Sequence, residues 1–338
     1  PGHGRRRRSS GATLPGAVAT EFRAAGKGDR AAILELFAAA FKAPANADDF
    51  AWKYDLDPHP AVSVVAIEDG RALGFIGALG ARYRGAALDA RGNSVVDVMT
   101  RPDTRALGRM GLFKRLGDLF RKANADAGTL FDFGFPNARA RAIEERLFGC
   151  VMAEPCGERG RRLDAPPLVG RLRRRLLRVR EGEPFGRAHD ALADLLHARE
   201  GWRTDRSART LAWRFSRPGF EYRSFQLLDL AGRSRGYAVT ALREGRVALV
   251  DLQVASESDG TLADLLAALH ERLAGVAADR LVLRSPMGGP LARRLEGELG
   301  FVPEPSDTVL LMHPIADGFD FLAPGKTFDY RFSDHDVF

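Results

Sequence analysis

VVDVMTRPDTRALGRMGLFKRLGDLFRKANA, residues 95–125, decides how the rest of the chain reads. It opens on Val95-Val96-Asp97-Val98-Met99, a β-branched apolar run of the kind that forms a buried strand. Thr100 to Met110 then reads as a loop with Pro102, Gly108 and three arginines, Arg101, Arg105 and Arg109, with Gly111 just beyond. From about Met110 to Ala125, Leu112, Phe113, Leu116, Leu119 and Phe120 recur at helical spacing, which predicts an amphipathic helix. The first N–H groups of a helix lack backbone partners, and its dipole adds partial positive charge there. Glycines let that backbone approach an anion, so strand, basic loop and helix together can seat a diphosphate. On spacing alone the same residues serve equally as a plain strand–turn–helix with a solvated loop.

Working outward, 338 residues suit two domains better than one, and 45% hydrophobic residues supply their cores. The net charge of +7 is uneven, with much of the excess in Arg5–Arg8 and between Arg159 and Arg180. No apolar run reaches the roughly 18 residues of a membrane span. Residues 1–16 lack the apolar segment of a secretory leader, and Cys150 and Cys156 make no disulfide framework. A cytoplasmic protein is the expectation.

Residues 1–17 read as a disordered basic arm. Residues 18–156 give the order strand, helix, helix, three strands, helix, strand, helix. Asp29 is the expected N-cap of the first helix, and Asp48–Leu56 is a second helix carrying Trp52 and Tyr54. Residues 157–186 crowd arginines around Pro166-Pro167 and read as a solvated linker. Residues 187–315 repeat the first order. Their loop before the helix, Ala255–Gly260, holds Glu257 and Asp259 and no arginine. Each such charge repels a nearby phosphate by about 1 kcal/mol even in water, so the second half is not expected to hold a diphosphate. Residues 316–338 are aromatic and acidic, and are expected to fold back on the body.

The opening stretch resembles the acyl-CoA-binding motif of the GNAT N-acetyltransferase superfamily, in which a loop of pattern (Q/R)-x-x-G-x-(G/A) joins a strand to a helix around the CoA diphosphate. Two registers fit, Arg105–Met110 and Gly108–Phe113. The Phe133–Asn137 piece, followed by Leu147-Phe148-Gly149, is similar to the later motif, where an Asn opens a helix beside the pantetheine arm. The resemblance implies an α/β (α+β) fold of two GNAT-like domains, each a mixed twisted sheet flanked by helices. It implies acetyl-CoA or another acyl-CoA as co-substrate, no metal, and a small-molecule or peptidyl amine as acceptor, with nucleic acid and membrane not expected as partners. The implied donor contacts are Val98, Met99, Thr100, Arg105, Gly108, Arg109, Met110, Gly111 and Asn137.

Direct acyl transfer needs a polarised thioester carbonyl and a base for the amine. Asp97 on the central strand is a candidate base, although a structural carboxylate there fits as well. Asp132, Glu144, Glu145, Asp334 and His335 are others. In relatives a Tyr after the Asn acts as acid. None follows Asn137, which leaves Tyr83 or Tyr54. The cysteines raise an acyl-cysteine route. Two rival readings share the fold: an aminoacyl-tRNA-dependent transferase of the Fem type, with the basic segments facing RNA, and a CoA-binding scaffold without turnover.

Overall fold

The computed structural model describes residues 19–86, 88–104, 108–136, 138–166, 177–199, 201–256, 260–286, 288–306, 308–316 and 328–334. The first half begins with β1 (Glu21–Ala24), α1 (Arg30–Phe41), α2 (Ala47–Tyr54), β2 (Val64–Glu68), β3 (Arg71–Gly85) and β4 (Leu88–Thr100). It continues with α3 (Gly108–Asp126), β5 (Phe131–Gly134), α4 (Ala138–Phe148) and β6 (Val151–Arg162). Alternation along the strands divides the core. Val64, Ala66, Ile76 and Ala78 pack on Leu112, Leu116 and Phe120 of α3, while Val65, Ala72, Phe75 and Met99 pack on Ile33 and Leu36 of α1. Asp29 holds the N-cap position of α1 but not its expected bond. Its carboxylate instead accepts from Gly26 N (2.8 Å) and from Arg23 (2.6 and 2.8 Å).

The second half repeats the plan with β7 (Leu177–Glu181), α5 (Arg187–His197), β8 (Trp202–Thr204), α6 (Ala208–Arg214), β9 (Tyr222–Asp229), β10 (Ser234–Arg243) and β11 (Arg246–Val254). Then come α7 (Thr261–Arg272), β12 (Arg280–Pro286), α8 (Pro290–Glu298), β13 (Val302–Glu304), β14 (Val309–Pro314) and β15 (Phe328–Asp329). Leu249, Leu281 and Leu283 face α7 and α8, and Tyr237 and Val239 face α5 and α6. The repeat is legible in two segments: Phe50-Ala51-Trp52-Lys53-Tyr54 against Leu211-Ala212-Trp213-Arg214-Phe215, and Val95-Val96-Asp97-Val98 against Leu249-Val250-Asp251-Leu252.

The halves exchange strands. β14, from the end of the chain, lies between β5 and the start of β6 in the first sheet. The end of β6, Cys156–Arg162, lies between β12 and β13 in the second. One strand path therefore runs through both sheets, and the expected break at residue 156 falls in the middle of β6. The expected solvated linker is corrected by the same pairing. Residues 157–162 are strand, and 177–181 form β7 on the edge of the second sheet. Arg159, 3% exposed, bonds Glu296 at 2.5 Å, and Arg161 donates to the carbonyl of Leu299 just past α8. These arginines cap and pair inside the protein, which a run of charges in sequence does not reveal.

The two halves also meet through a reciprocal contact. Trp52 and Trp213 stack at 5.0 Å and 12°, and each indole N–H donates to the other's backbone carbonyl (2.8 and 2.9 Å). Residues 330–334 of the tail are buried in the same junction, where Tyr330 packs with Phe131, Phe133 and Phe135.

Candidate functional site

The first half contains a wedge-shaped gap. β4 and β5 run parallel for three pairs, Gly92–Phe131, Asn93–Asp132 and Ser94–Phe133. Beyond Ser94, β4 has no partner in β5. The divergence coincides with a bulge. Val96 pairs with Gly77 and Met99 with Phe75, so Asp97 and Val98 together oppose Ile76. Asp97 takes φ 44°, a left-handed value that Asp tolerates better than most residues. Its side chain is fixed from α2: Lys53 Nζ lies 3.0 Å from both carboxylate oxygens, and the Tyr54 hydroxyl donates to Oδ2 at 2.8 Å. The bulge turns Val98 towards α3 and leaves Met99 on the α1 face.

α3 begins at the mouth of this gap. Its first turn, Gly108 to Gly111, carries no acidic residue, so the dipole's positive end is uncompensated there. A Cβ built on Gly111 would meet nothing within 4 Å, which leaves the turn open to a ligand. Arg101 does not join it: its Nε donates to Ala72 O at 3.1 Å and its guanidinium lies 3.6 Å from Glu35. Arg105 lies outside the described residues, as do the side chains of Arg109 and Met110.

Beneath the gap, on the α3 and α4 face, a cavity of about 60 Å³ is walled by Val95, Val98, Phe113 and Phe148 and floored by ionisable groups. Burial pushes Asp132 up to about 8 against a hydrogen bond from Asn93 (3.1 Å), and pushes Glu144 up to about 7. His313 falls to about 4 through burial and the Arg121 guanidinium beside it. The Cys150 thiol is pushed up to about 12, first by burial and then by Glu144. A thiol so reluctant to ionise makes a poor nucleophile, which speaks against Cys150 as the residue of an acyl-cysteine route.

On the opposite face of the sheet a second cavity, about 50 Å³, lies between the halves. Ser94 and Phe133, the last pair before the gap opens, form one wall. His59, Asp205, Thr210 and Trp213 form another. The two cavities thus flank the apex of one gap from its two faces.

The second half has a corresponding gap. β11 and β12 pair in parallel only as far as Leu249–Leu283, and a one-residue bulge again precedes Asp251. Here the chain's own residues span it. Arg331 Nε donates to Leu252 O, beyond the last β11–β12 pair, and Arg284 of β12 sits 4.6 Å over Phe332. Asp251, fully buried, pairs with Arg206 at 2.9 Å and accepts from the Tyr237 hydroxyl at 2.9 Å, and Arg206 reaches Asp334 at 2.8 Å. Asp264 stands buried in the first turn of α7, so that helix end already holds a carboxylate. Glu257 and Asp259 lie outside the described residues.

Val98 therefore lines the cavity at the first gap, with Met99 and Thr100 next along β4 and Gly108 and Gly111 in the first turn of α3. Tyr83 does not: it is fully buried on β3, six residues or about 20 Å of strand from Gly77 opposite the bulge. Asp132 and Glu144 line the α3 face, and Asp97 is committed to Lys53 and Tyr54. Asn137 and His335 lie outside the described residues. Sequence reasoning missed Lys53, which answers Asp97 within the first half, and His59, Asp205 and Thr210, which meet only because the halves dock.

No family model and no curated protein matches the sequence. Solved structures do. A GCN5-related N-acetyltransferase from Anabaena variabilis aligns over 88% of this chain and 73% of its own, with 10% identity and a TM-score of 0.67. Eis1 from Mycobacterium abscessus aligns over 88% and 74%, with 15% identity and a TM-score of 0.60. A tandem GNAT protein from the clavulanic acid biosynthesis pathway aligns over 88% and 99%, with 14% identity and a TM-score of 0.57. The chain has the tandem GNAT fold.

Proposed function

We propose that the protein is an acyl-CoA-dependent N-acyltransferase, with the first half holding the donor and acetyl-CoA the first donor to test. The observation that carries this reading is the β4–β5 gap with the acid-free start of α3 at its mouth and a cavity on each face. The donor's diphosphate would lie at Gly108–Gly111, and its arm would enter along Val98 to Thr100 from the α3 side. Backbone N–H groups of those β4 residues would polarise the thioester carbonyl. A primary amine would reach it from the cavity between the halves, so transfer is direct. Of the basic surface that the Fem-type alternative needs, Arg159 and Arg161 are buried while Arg162, Arg178 and Arg180 are exposed.

Calorimetric titration with acetyl-CoA tests the reading, followed by thiol release on a panel of small primary amines. One equivalent bound per chain and amine-dependent thiol release are expected. No heat and no thermal shift at millimolar acetyl-CoA would overturn it.

A further inference from the structure

Resting on that reading, we propose that His59 is the general base that takes a proton from the acceptor amine, with Asp205 and Thr210 of the other half as its positioning residues. His59 sits on the loop between α2 and β2, and this loop is nailed to the sheet. Asp57 accepts from His59 N (2.8 Å) and from Gly80 N of β3 (2.9 Å). The loop lies so close that a Cβ on Gly80 would fall 1.3 Å from His59 O, so only glycine fits beneath it. The imidazole is thereby held at the cavity whose far wall is Ser94 and Phe133, at the apex of the gap.

Hydrogen bonding assigns the tautomer. The hydroxyls of Ser207 and Thr210 donate to Asp205 Oδ2 at 2.7 and 2.8 Å. With its proton spent on the carboxylate, Thr210 Oγ1 accepts from His59 Nε2–H at 3.2 Å, while Asp205 Oδ2 lies 3.6 Å from the same nitrogen. The lone pair is left on Nδ1, to which no described residue is hydrogen-bonded. Asp205 stays ionised: burial alone would raise it, but its contacts to His59, Ser207 and Thr210 outweigh burial and hold it well below the usual carboxylate range.

Of the rival carboxylates, Asp97 is paired with Lys53, Asp251 and Asp334 share Arg206, and Asp132 and Glu144 line the cavity on the other face of the sheet. The charged groups that face His59 or line its cavity are Asp57 on its own loop, Arg82 from β3, Asp205, Arg206 and Arg214 from the second half, Asp251 from β11 and Asp334 from the tail. In the step itself His59 Nδ1 takes one proton from the ammonium. The freed nitrogen pair then forms the C–N bond, and the C–S bond breaks with its pair going to sulfur. A second proton from nitrogen neutralises the thiolate, and the imidazolium returns its proton to water.

The experiment uses the full chain. Nitrogen-15 NMR of labelled histidines should show His59 as the Nε2–H tautomer, and Thr210→Val should abolish that preference. An Nδ1–H tautomer in the unaltered protein overturns the proposal, whether or not any amine turns over. With the best amine of the panel, His59→Gln should lower kcat at least a hundredfold and erase the acid limb of the kcat/KM profile. The small variant His59→Ala should recover activity with added imidazole. Acetyl-CoA affinity, measured on the same samples, should not change. If that affinity is absent in the unaltered protein, the acyl-transfer reading itself fails; if it is present and His59→Gln turns over normally, only the base assignment fails.

Discussion

Both halves of this protein build the same gap, and only one leaves it open. Each has a parallel strand pair that diverges, a bulge with an aspartate beside it and a helix starting at the mouth. In the first half the aspartate is answered from its own half by Lys53 and Tyr54, the helix starts without acid, and cavities lie on both faces. In the second, Arg331 bridges to β11, Phe332 packs beneath Arg284, and Asp264 occupies the first helical turn. Shared architecture therefore tracks shared folding, while the differences track ligand access. An aspartate kept in both copies belongs to the scaffold.

The largest expected effect tests that last point. Asp97→Ala takes from the Lys53 ammonium, 5% exposed, its nearer partner, leaving Asp49 at 3.6 Å, and should cost about 3 kcal/mol in urea unfolding. Asp251→Ala should cost a similar amount, because it leaves buried Arg206 with Asp334 alone and takes the acceptor from the Tyr237 hydroxyl. Asp97→Asn keeps a residue that tolerates the left-handed backbone, and turnover within about tenfold of normal would remove Asp97 from the chemistry. Next comes the dock: Trp213→Ala deletes the stack and one of the two exchanged hydrogen bonds and should cost about 3 kcal/mol, read in the same assay.

Smaller in energy but more telling is Gly111→Glu, which gives α3 the acid that α7 already has. Since a side chain there meets nothing within 4 Å, the fold should persist while acetyl-CoA affinity falls by about tenfold or more. Unchanged affinity would break the comparison. The smallest effect concerns pH. Asp132 is raised to about 8 in the fold, so its contribution to stability is complete below its unfolded value near 3.8 and is lost as pH rises towards 8. Asp132→Asn should flatten that decline between about pH 5 and 8. In the second half the β11–β12 pairs from Val247 to Leu249 are apolar throughout, and no counterpart is expected there.

Much of this was legible in the chain. The apolar run at Val95, the glycines that follow and the period of Leu112, Leu116 and Phe120 mark strand, loop and helix, because each signal is local. The exchange of β6 and β14 was not, since alternation shows which face a strand buries but not which half it completes. Arg159 and Arg161 look solvated in sequence and are buried because Glu296 and the carbonyl of Leu299 wait in the other half. Trp52 and Trp213 find each other across 161 residues, which no local pattern shows. His59 and Asp205 carry no spacing signal at all. The paired segments at Trp52 and Trp213, and at Asp97 and Asp251, were the clue that aligns the halves.

The most direct test of the account is a crystal structure with acetyl-CoA. The account predicts one molecule per chain, its diphosphate on the amides of Gly108 to Gly111 and its thioester between β4 and β5. Coenzyme found at the start of α7 between β11 and β12, with the first gap empty, would contradict it.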